Sequence, residues 1–481
     1  MKFTLSKAVN SSKVFLTPKS EVAGRWDPFY FRPELVALEK RVHQVTPDRL
    51  RTFVVKMAGG ATPSTTEAET HYTESTEGVP FIRVQNLSTT GRLNLQDCKR
   101  ITRDTHERLL RRSRLSGGEL LVKITGVGRM AVASVVPDGF EGNINQHIVA
   151  IRTRDARTSE TLAAYLNLDM SEKLASRRST GGTRPALDYP ALLSIPIVFD
   201  ERIPVMVNAA VREYEAKRER AIDLLNEIDG IVLTELGTRR QSAPPNEVGD
   251  RIFRSSRYEL TGRRWDPNYS RCMKKFVQEV EQCAFPVRTL KQFLALVQYG
   301  ISERATEEVV GIPMLRMLNL QDGCWDLSDM KYIAMDDHER RPYVLQHGDI
   351  LFNRTNSKEL VGKCNVFDLQ GEYVFASYLM RVRMKHNSGL RPEYVVAYLG
   401  SSLGRLQIDA VSRQIAGMTN INAEEIRELL IPVPPRTVQD RICTRVADIR
   451  RKVAGLRQLA ATELQAAKET IEHLIMREGV A

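Results

Sequence analysis

Two long heptad runs constrain this chain more than any other feature. Within residues 201–236, apolar side chains recur at Val207, Val211, Tyr214, Ala221, Leu225, Ile228 and Val232, with Arg218 the one break in alternating steps of four and three. That spacing is the seam of a helix packing lengthwise on another. Residues 438–477 repeat it at Ile442, Val446, Ile449, Val453, Leu456 and Ala460, then slip one step to Leu464, Ala467, Ile471 and Leu474, as a stutter does. Each run follows an Ile-Pro pair, Ile195-Pro196 or Ile431-Pro432, where proline ends the preceding strand. No loop covers a seam of this length, so each helix needs a long partner, and its own copy is the nearest candidate. A plain helical bundle would show the same seam, so the rest of the chain must decide.

The rest of the chain is also repeated. Gly24-Arg25-Trp26-Asp27-Pro28-Phe29-Tyr30 returns as Gly262-Arg263-Arg264-Trp265-Asp266-Pro267-Asn268-Tyr269, and these motifs hold two of the three tryptophans. In the same order, Pro80-Phe81-Ile82-Arg83-Val84-Gln85-Asn86-Leu87 matches Pro313-Met314-Leu315-Arg316-Met317-Leu318-Asn319-Leu320. Gly118-Glu119-Leu120-Leu121 matches Gly348-Asp349-Ile350-Leu351, and Ala164-Tyr165-Leu166 matches Ala397-Tyr398-Leu399. A unit of globular domain plus long helix has been duplicated in tandem. The expected fold class is α+β: two similar mixed α/β domains separated by two long antiparallel coiled-coil helices, with a pseudo-two-fold relation. The boundaries are 1–200 for the first domain, 201–237 for its helix, 238–250 for a polar, proline-bearing linker, 251–436 for the second domain and 437–481 for the closing helix. A length of 481 residues accommodates two such cores. Strands are expected near 81–84, 119–124 and 147–151, then 314–317, 349–352 and 379–384, with helical patches at 160–177 and 392–410. The strand order is not readable.

Seventy Lys and Arg against 59 Asp and Glu leave a net charge of +11, which suits a polyanionic partner because each neutralised phosphate releases counterions. No apolar run is long enough to span a bilayer, and residues 1–20 lack the continuous apolar core of a signal peptide, so a cytoplasmic protein with no membrane partner is expected. Cys98, Cys272, Cys283, Cys324, Cys364 and Cys443 include no C-x-x-C pair, which suggests neither a zinc site nor a disulfide framework.

Three pairs of polar stretches are candidate DNA contacts. After a strand in the first domain, Lys123, Thr125 and Arg129 flank small residues, and the matching stretch of the second offers Asn353, Arg354, Thr355, Asn356 and Lys358, with Lys363 beyond. The second pair sets Asn145, Gln146 and His147 against Tyr378. The third sets Arg178, Thr183 and Arg184 against Arg413, Gln414, Thr419 and Asn420, with glycines that permit close backbone approach. Arginine reads guanine with two parallel hydrogen bonds, and asparagine or glutamine reads adenine. Any one of these residues could equally be a polar turn between strands. Lys99, Arg100, Arg103, Arg108, Arg111, Arg112 and Arg114 form a basic run that tracks a phosphate backbone or faces solvent.

Catalytic patterns are missing. No G-x-x-x-x-G-K-[ST] loop is present, and no His or Cys stands in nucleophile or metal-ligand spacing. Asp27-Pro28-Phe29-Tyr30 and Asp266-Pro267-Asn268-Tyr269 come near the motif that amino-group DNA methyltransferases use against a flipped base, but both lack its second proline. The structural expectation is that Trp26 and Trp265 pack under each domain while Asp-Pro starts a turn or helix.

In the order of its parts the chain resembles the specificity subunits of type I restriction-modification enzymes. The resemblance rests on the repeated Arg-Trp-Asp-Pro, on Gly348-Asp349-Ile350-Leu351-Phe352-Asn353-Arg354-Thr355, and on Ile431-Pro432-Val433-Pro434-Pro435 followed by Gln439-Asp440-Arg441-Ile442 and the long helix. It implies two target recognition domains, each reading half of a split site in double-stranded DNA, with the helices as a ruler. It implies two modification (adenine methyltransferase) subunits as partners, together with restriction/translocase subunits. No cofactor would bind this chain directly; S-adenosylmethionine, ATP and Mg would sit on the partners, and the chain would be non-catalytic. The alternatives are a non-catalytic DNA-binding or assembly module of another phage-defence complex, and a stand-alone methyltransferase.

Overall fold

The computed structural model describes residues 14–19, 22, 26–64, 66, 68–95, 98–182, 184–239, 267–307, 309–321, 323–358, 360–415 and 418–478. Contacts divide the chain into two compact units, residues 1–216 with 459–481, and residues 217–458.

In the first unit Asp27 caps the turn Pro28–Phe31, accepting from the Phe29 N–H at 3.0 Å, and α1 (Pro33–Val45) follows. Trp26 was expected to pack beneath the domain. It is 87% exposed, so the Asp-Pro cap forms the turn without a buried indole. The matching Trp265 and Asp266 lie outside the described residues. Strands β1 (Lys56–Gly59), β8 (Ile148–Arg152), β5 (Leu120–Lys123) and β6 (Ala133–Val135) form an antiparallel sheet in that order. Alternate residues serve opposite faces. Leu120, Val122, Val149 and Ile151 pack on α3 (Ala156–Leu166) and α4 (Asp169–Arg178), whereas Leu121, Ile148 and Ala150 meet a second sheet through Ile82 and Ile144. That second sheet runs β2 (Tyr72–Thr73), β4 (Lys99–Ile101), β3 (Val79–Ile82) and β7 (Asn143–Ile144), with β2 entered from the single turn α2 (Ala68–His71). Coverage on both sides explains why all four residues of β5 are buried. Gly118, at φ +79°, makes the left-handed turn into β5 that a side chain would strain. The helical patch expected over 160–177 is two helices, because Asn167 between them turns its amide onto both backbone groups of Ala133 (3.1 and 2.8 Å). After α5 (Tyr189–Leu193), the long helix α6 (Arg202–Glu235) begins.

The second unit repeats this plan. Helix α7 (Pro267–Val280) precedes an antiparallel sheet β10 (Leu294–Tyr299), β19 (Leu379–Met384), β15 (Ile350–Asn353), β17 (Cys364–Val366), the same order as in the first unit. The second sheet runs β14 (Lys331–Ile333), β11 (Ile312–Leu315), β18 (Val374–Phe375), with the same parallel β11/β18 pairing as β3/β7. Two short pairs, β9 (Val287–Thr289) with β22 (Leu430–Pro432) and β12 (Leu320–Gln321) with β13 (Cys324–Trp325), edge the domain. A third small sheet joins β16 (Thr355–Asn356), β21 (Met418–Asn420) and β20 (Arg413–Ile415). The helices are α8 (Asp337–Arg340), α9 (Pro392–Gly400), α10 (Ser402–Val411), α11 (Ala423–Arg427) and the long α12 (Arg436–Glu478). Ser401 separates α9 from α10 by capping the Gly404 N–H at 3.3 Å, so the patch expected over 392–410 is also two helices.

Both long helices enter the cores. In the first unit Ile203, Val207 and Val211 join Leu464, Ile471 and Ile475. In the second, Ala221, Leu224 and Ile231 pack with Ile449 and Val453, and Glu235 pairs with Arg441 at 2.8 Å, so the helices are antiparallel there. The break at Arg218 is exposed. Beyond Ala460 the buried positions are Leu464, Lys468, Ile471 and Ile475, and Leu474, assigned to the seam by its apolar character, is 41% exposed. From Leu456 the seam therefore takes three successive steps of four and brings a lysine into it.

Candidate nucleic-acid interface

In the first unit three stretches far apart in sequence meet where β5 ends and β8 begins. Ile124 donates its N–H to the His147 carbonyl (2.9 Å) and accepts from the Leu187 N–H (2.8 Å), while Gly126 donates to Pro185 (3.0 Å). Thr180 and Ala186 exchange both backbone bonds at 2.8 Å, and Thr125 bridges to Ala186. In the second unit the Arg354 N–H donates to the Tyr378 carbonyl (3.0 Å) and the Arg354 carbonyl accepts from Ile421 (2.9 Å). Thr355 pairs with Asn420, Asn356 with Thr419, and Gln414 with Thr419. One backbone lip is built twice from the three candidate stretches of each domain. Gly60 and Gly300 set its base: a Cβ on Gly60 would overlap the Asn145 carbonyl, and one on Gly300 would overlap those of Phe375 and Ala376.

The side chains of the first lip divide sharply. Gln146 and Arg184 are exposed, and Thr125 and His147 are half-buried. Gln146 bonds Thr62, and Arg184 Nη2 stands 3.3 Å from His147 Nε2. Burial, then the Arg184 guanidinium, push the His147 imidazole below its usual pKa, which keeps it neutral and able to accept as well as donate. The other candidates turn inward. Lys123 is 4% exposed, its pKa lowered by burial, and its ammonium donates to the carbonyls of Val127 (2.7 Å) and Arg129 (2.9 Å), closing the loop on itself. Arg129 holds Asp169 (2.6 Å) and the carbonyls of Asn167 and Leu168 (2.7 and 2.6 Å). Asn145 is buried and accepts from the His147 N–H at 3.2 Å. Arg178 is buried against Glu39, Ser194 Oγ (2.9 Å) and the Leu174 carbonyl (2.9 Å). Thr183 lies outside the described residues.

In the second lip Lys358, Tyr378 and Arg413 are exposed and Arg354, Asn356, Lys363 and Asn420 are half-buried. Arg354 lies 4.9 Å over the Tyr299 ring and donates to the Ser377 carbonyl at 3.3 Å; Arg413 Nε reaches Glu425 at 2.9 Å. Asn356 Nδ2 lies 3.3 Å from Met317 Sδ. Asn353 and Thr419 are buried, and Thr355 donates to Asn420 Oδ1 at 2.6 Å, so these residues brace the small sheet. Gln414 contributes backbone pairing; its side chain is outside the described set. In the basic run of the first domain, Arg103 pairs with Glu141 (3.2 Å) and Arg108 with Asp104 (3.1 Å).

The sequence reading missed two tyrosines. Tyr299 ends β10 paired with Met380, and its hydroxyl accepts from the Ala423 N–H at 3.1 Å. The corresponding end of β1 is Gly59, paired with Val149, and a Cβ there would strike the hydroxyl of Tyr189, the first residue of α5. Each lip thus carries a tyrosine about two-fifths exposed at one place, supplied by a strand in one domain and by a helix in the other. Because the two positions do not correspond in the repeat, aligning the halves hides them.

Among the described residues no cluster of His, Cys, Asp or Glu could hold a metal ion, and no helix is long and apolar enough to cross a membrane.

No protein-family model matches the chain. It is 27% identical over 174 residues to the type I restriction enzyme EcoKI specificity subunit of Escherichia coli strain K12, covering 36% of this chain and 37% of that protein. A second similar protein, from Methanocaldococcus jannaschii, bears the name type I restriction enzyme MjaX specificity subunit and is 22% identical over 195 residues, 40% of this chain and 46% of its own. The chain thus spans less than half the length of these curated relatives. Among solved structures, the S subunit of a type I restriction-modification system from M. genitalium aligns over 90% of this chain and 94% of its own at 10% identity, with a TM-score of 0.34.

Proposed function

We propose that this chain is the DNA sequence-specificity subunit of a type I restriction-modification complex. Each globular domain reads one half of a split site through its lip, and the long helices set the spacing of the half-sites and dock methyltransferase subunits. The observation that carries this reading is the doubled lip: the same backbone hydrogen bonds at Ile124 and Arg354 hold up different outward side chains. A constant frame with variable side chains suits two different base sequences. In the first lip Gln146, His147 and Arg184 would face base edges; in the second Arg354, Asn356, Lys358 and Tyr378 would do so. Arginine favours guanine, and the amide side chains favour adenine. The net charge of +11 supplies the sequence-independent attraction to phosphates. The local likeness to named specificity subunits supports the same reading.

On this reading the chemistry belongs to the partners. Two adenine methyltransferase subunits would bring S-adenosylmethionine, and restriction/translocase subunits would use ATP and magnesium. The test is to express the chain together with adenine methyltransferase subunits of the same organism in a host lacking other adenine methylation, and to map modified adenines across the genome. A single motif of two specific half-sites around a fixed unspecific gap is expected. Methylation with no split motif, or none that depends on this chain, would overturn the proposal.

A further inference from the structure

The two domains differ at one register position of their main sheets. In the second, Arg381 pairs with Leu351 and Gln298, is 3% exposed, and sends its guanidinium beneath the short helical turn Arg341–Tyr343. There it donates to the carbonyls of Val344 (2.8 Å) and Pro342 (2.7 Å) and to Gln298, tying that turn to the sheet. In the first domain the same position, paired with Leu121 and Ala58, is Ala150. Two alanines stand where the second domain has Arg381 and Gln298. The space left between β1 and the matching turn Arg111–Ser113 is an open groove of about 590 Å³.

Its walls are strongly basic. Lys56, Arg111, Arg112, Arg114 and Arg152 line it against the single carboxylate of Glu119. Glu119 is already engaged by Arg152 at 3.1 Å and by the Ser116 N–H at 3.0 Å, and Arg114 Nε donates to the His106 carbonyl at 3.1 Å. Lys56, Arg111 and Arg112 are exposed and have no hydrogen-bond or ion-pair partner among the described residues. Like charges crowded on a concave surface repel one another unless an anion enters, and such a surface concentrates anions.

The groove also has a direction. It runs along β1 from Lys56 to Gly59. Gly59 carries Tyr189, and Gly60 abuts Asn145 at the base of the lip. Three strand steps make about 10 Å, roughly three base-pair rises of duplex DNA.

We infer that this groove binds the phosphodiester backbone of the duplex whose bases meet the first lip, giving the first domain a sequence-independent grip that the second replaces with its own Arg381. The inference rests on the reading of the chain as a DNA-specificity subunit and adds to it a site and an asymmetry between the halves.

The test uses the full chain assembled with its methyltransferase subunits and compares wild type with Lys56→Ser/Arg111→Ser/Arg112→Ser. All three side chains are exposed, and an unchanged thermal midpoint verifies folding. Binding to the methylated motif's duplex and to a random-sequence duplex is measured over a salt series. The expected result is a slope of log K against log salt shallower by about 2 to 3, at about 0.9 per lost phosphate contact. Weakening should be equal on both duplexes, with the preference between them retained. An unchanged slope, or weakening confined to one half-site's bases, overturns the groove while leaving the specificity reading intact. Failure of the wild-type assembly to bind either duplex overturns that reading instead, and the groove's role with it. Inorganic phosphate that raises the wild-type thermal midpoint but not the variant's, with duplex binding unaffected by the substitutions, would make the groove a small-anion site and contradict the assignment.

Discussion

The ammonium of Lys468, in the seam of α12, donates to the Thr89 carbonyl at 3.1 Å and is 5% exposed. Burial, then the charge of Arg129, lower its pKa to about 8, against the opposing pull of Asp169 and Glu472. A lysine whose folded pKa is depressed destabilises the fold while protonated. Below about pH 8 both states hold the proton and the penalty is complete; between there and the ordinary value of 10.5 the unfolded chain binds more protons, so stability rises with pH. Lys468→Met should therefore stabilise the protein at pH 7 by up to about 3 kcal/mol, an advantage that shrinks as pH rises towards 10. Denaturation midpoints of the two proteins at several pH values check this. A variant equal to or weaker than wild type at pH 7, with no trend, would show that the hydrogen bond to Thr89 outweighs desolvation.

Glu39 accepts from both Arg177 and Arg178, whose side chains are 8% and 5% exposed. Removing the carboxylate takes away the charge that both buried guanidiniums share, so Glu39→Ala should destabilise the first domain by about 3 to 5 kcal/mol. Arg184→Ala, on the exposed lip, should stay within about 0.5 kcal/mol. Urea denaturation separates the two. A loss below about 1 kcal/mol for Glu39→Ala would mean that Arg178 is not the structural residue its surroundings suggest.

The ruler predicts a spacing change. One heptad inserted after Ile228 and another after Ile449, residues that share a cluster in the second unit, keeps the seam in phase. It adds about 10 Å to each helix, roughly three base-pair rises. The unspecific gap in the methylated motif should lengthen by about three base pairs. An unchanged gap contradicts the spacer role.

The duplication was legible because turns, caps and heptads are local: Gly118 and Gly348 both take the left-handed turn that only glycine enters easily, and they recur with the strands that follow. Strand order was hidden because β8 bridges β5 and β1, pairings decided by long-range burial. The three candidate stretches were found by composition and do meet. Which of their residues face outward was unreadable, since Lys123 and Arg178 look like surface cations yet find carbonyls and a carboxylate inside. Beyond Ala460 the expected seam holds at Leu464 and Ile471 but not at Ala467 and Leu474, for a related reason: a lysine stem packs like an apolar side chain when its ammonium meets an acceptor. The groove floored by Ala150 becomes visible only when Arg381 is seen filling its counterpart.

Independent reading of DNA by the two domains through equivalent lips is what the proposed function requires above all. Its most direct test is the methylated motif produced by Arg354→Ala, since Arg354 sits half-buried on Tyr299 at the second lip. The expected result is relaxed specificity in one half-site, by about 1 to 3 kcal/mol at the affected base, with the other half-site and the gap unchanged. Equal relaxation of both half-sites, or an unaltered motif, would contradict it.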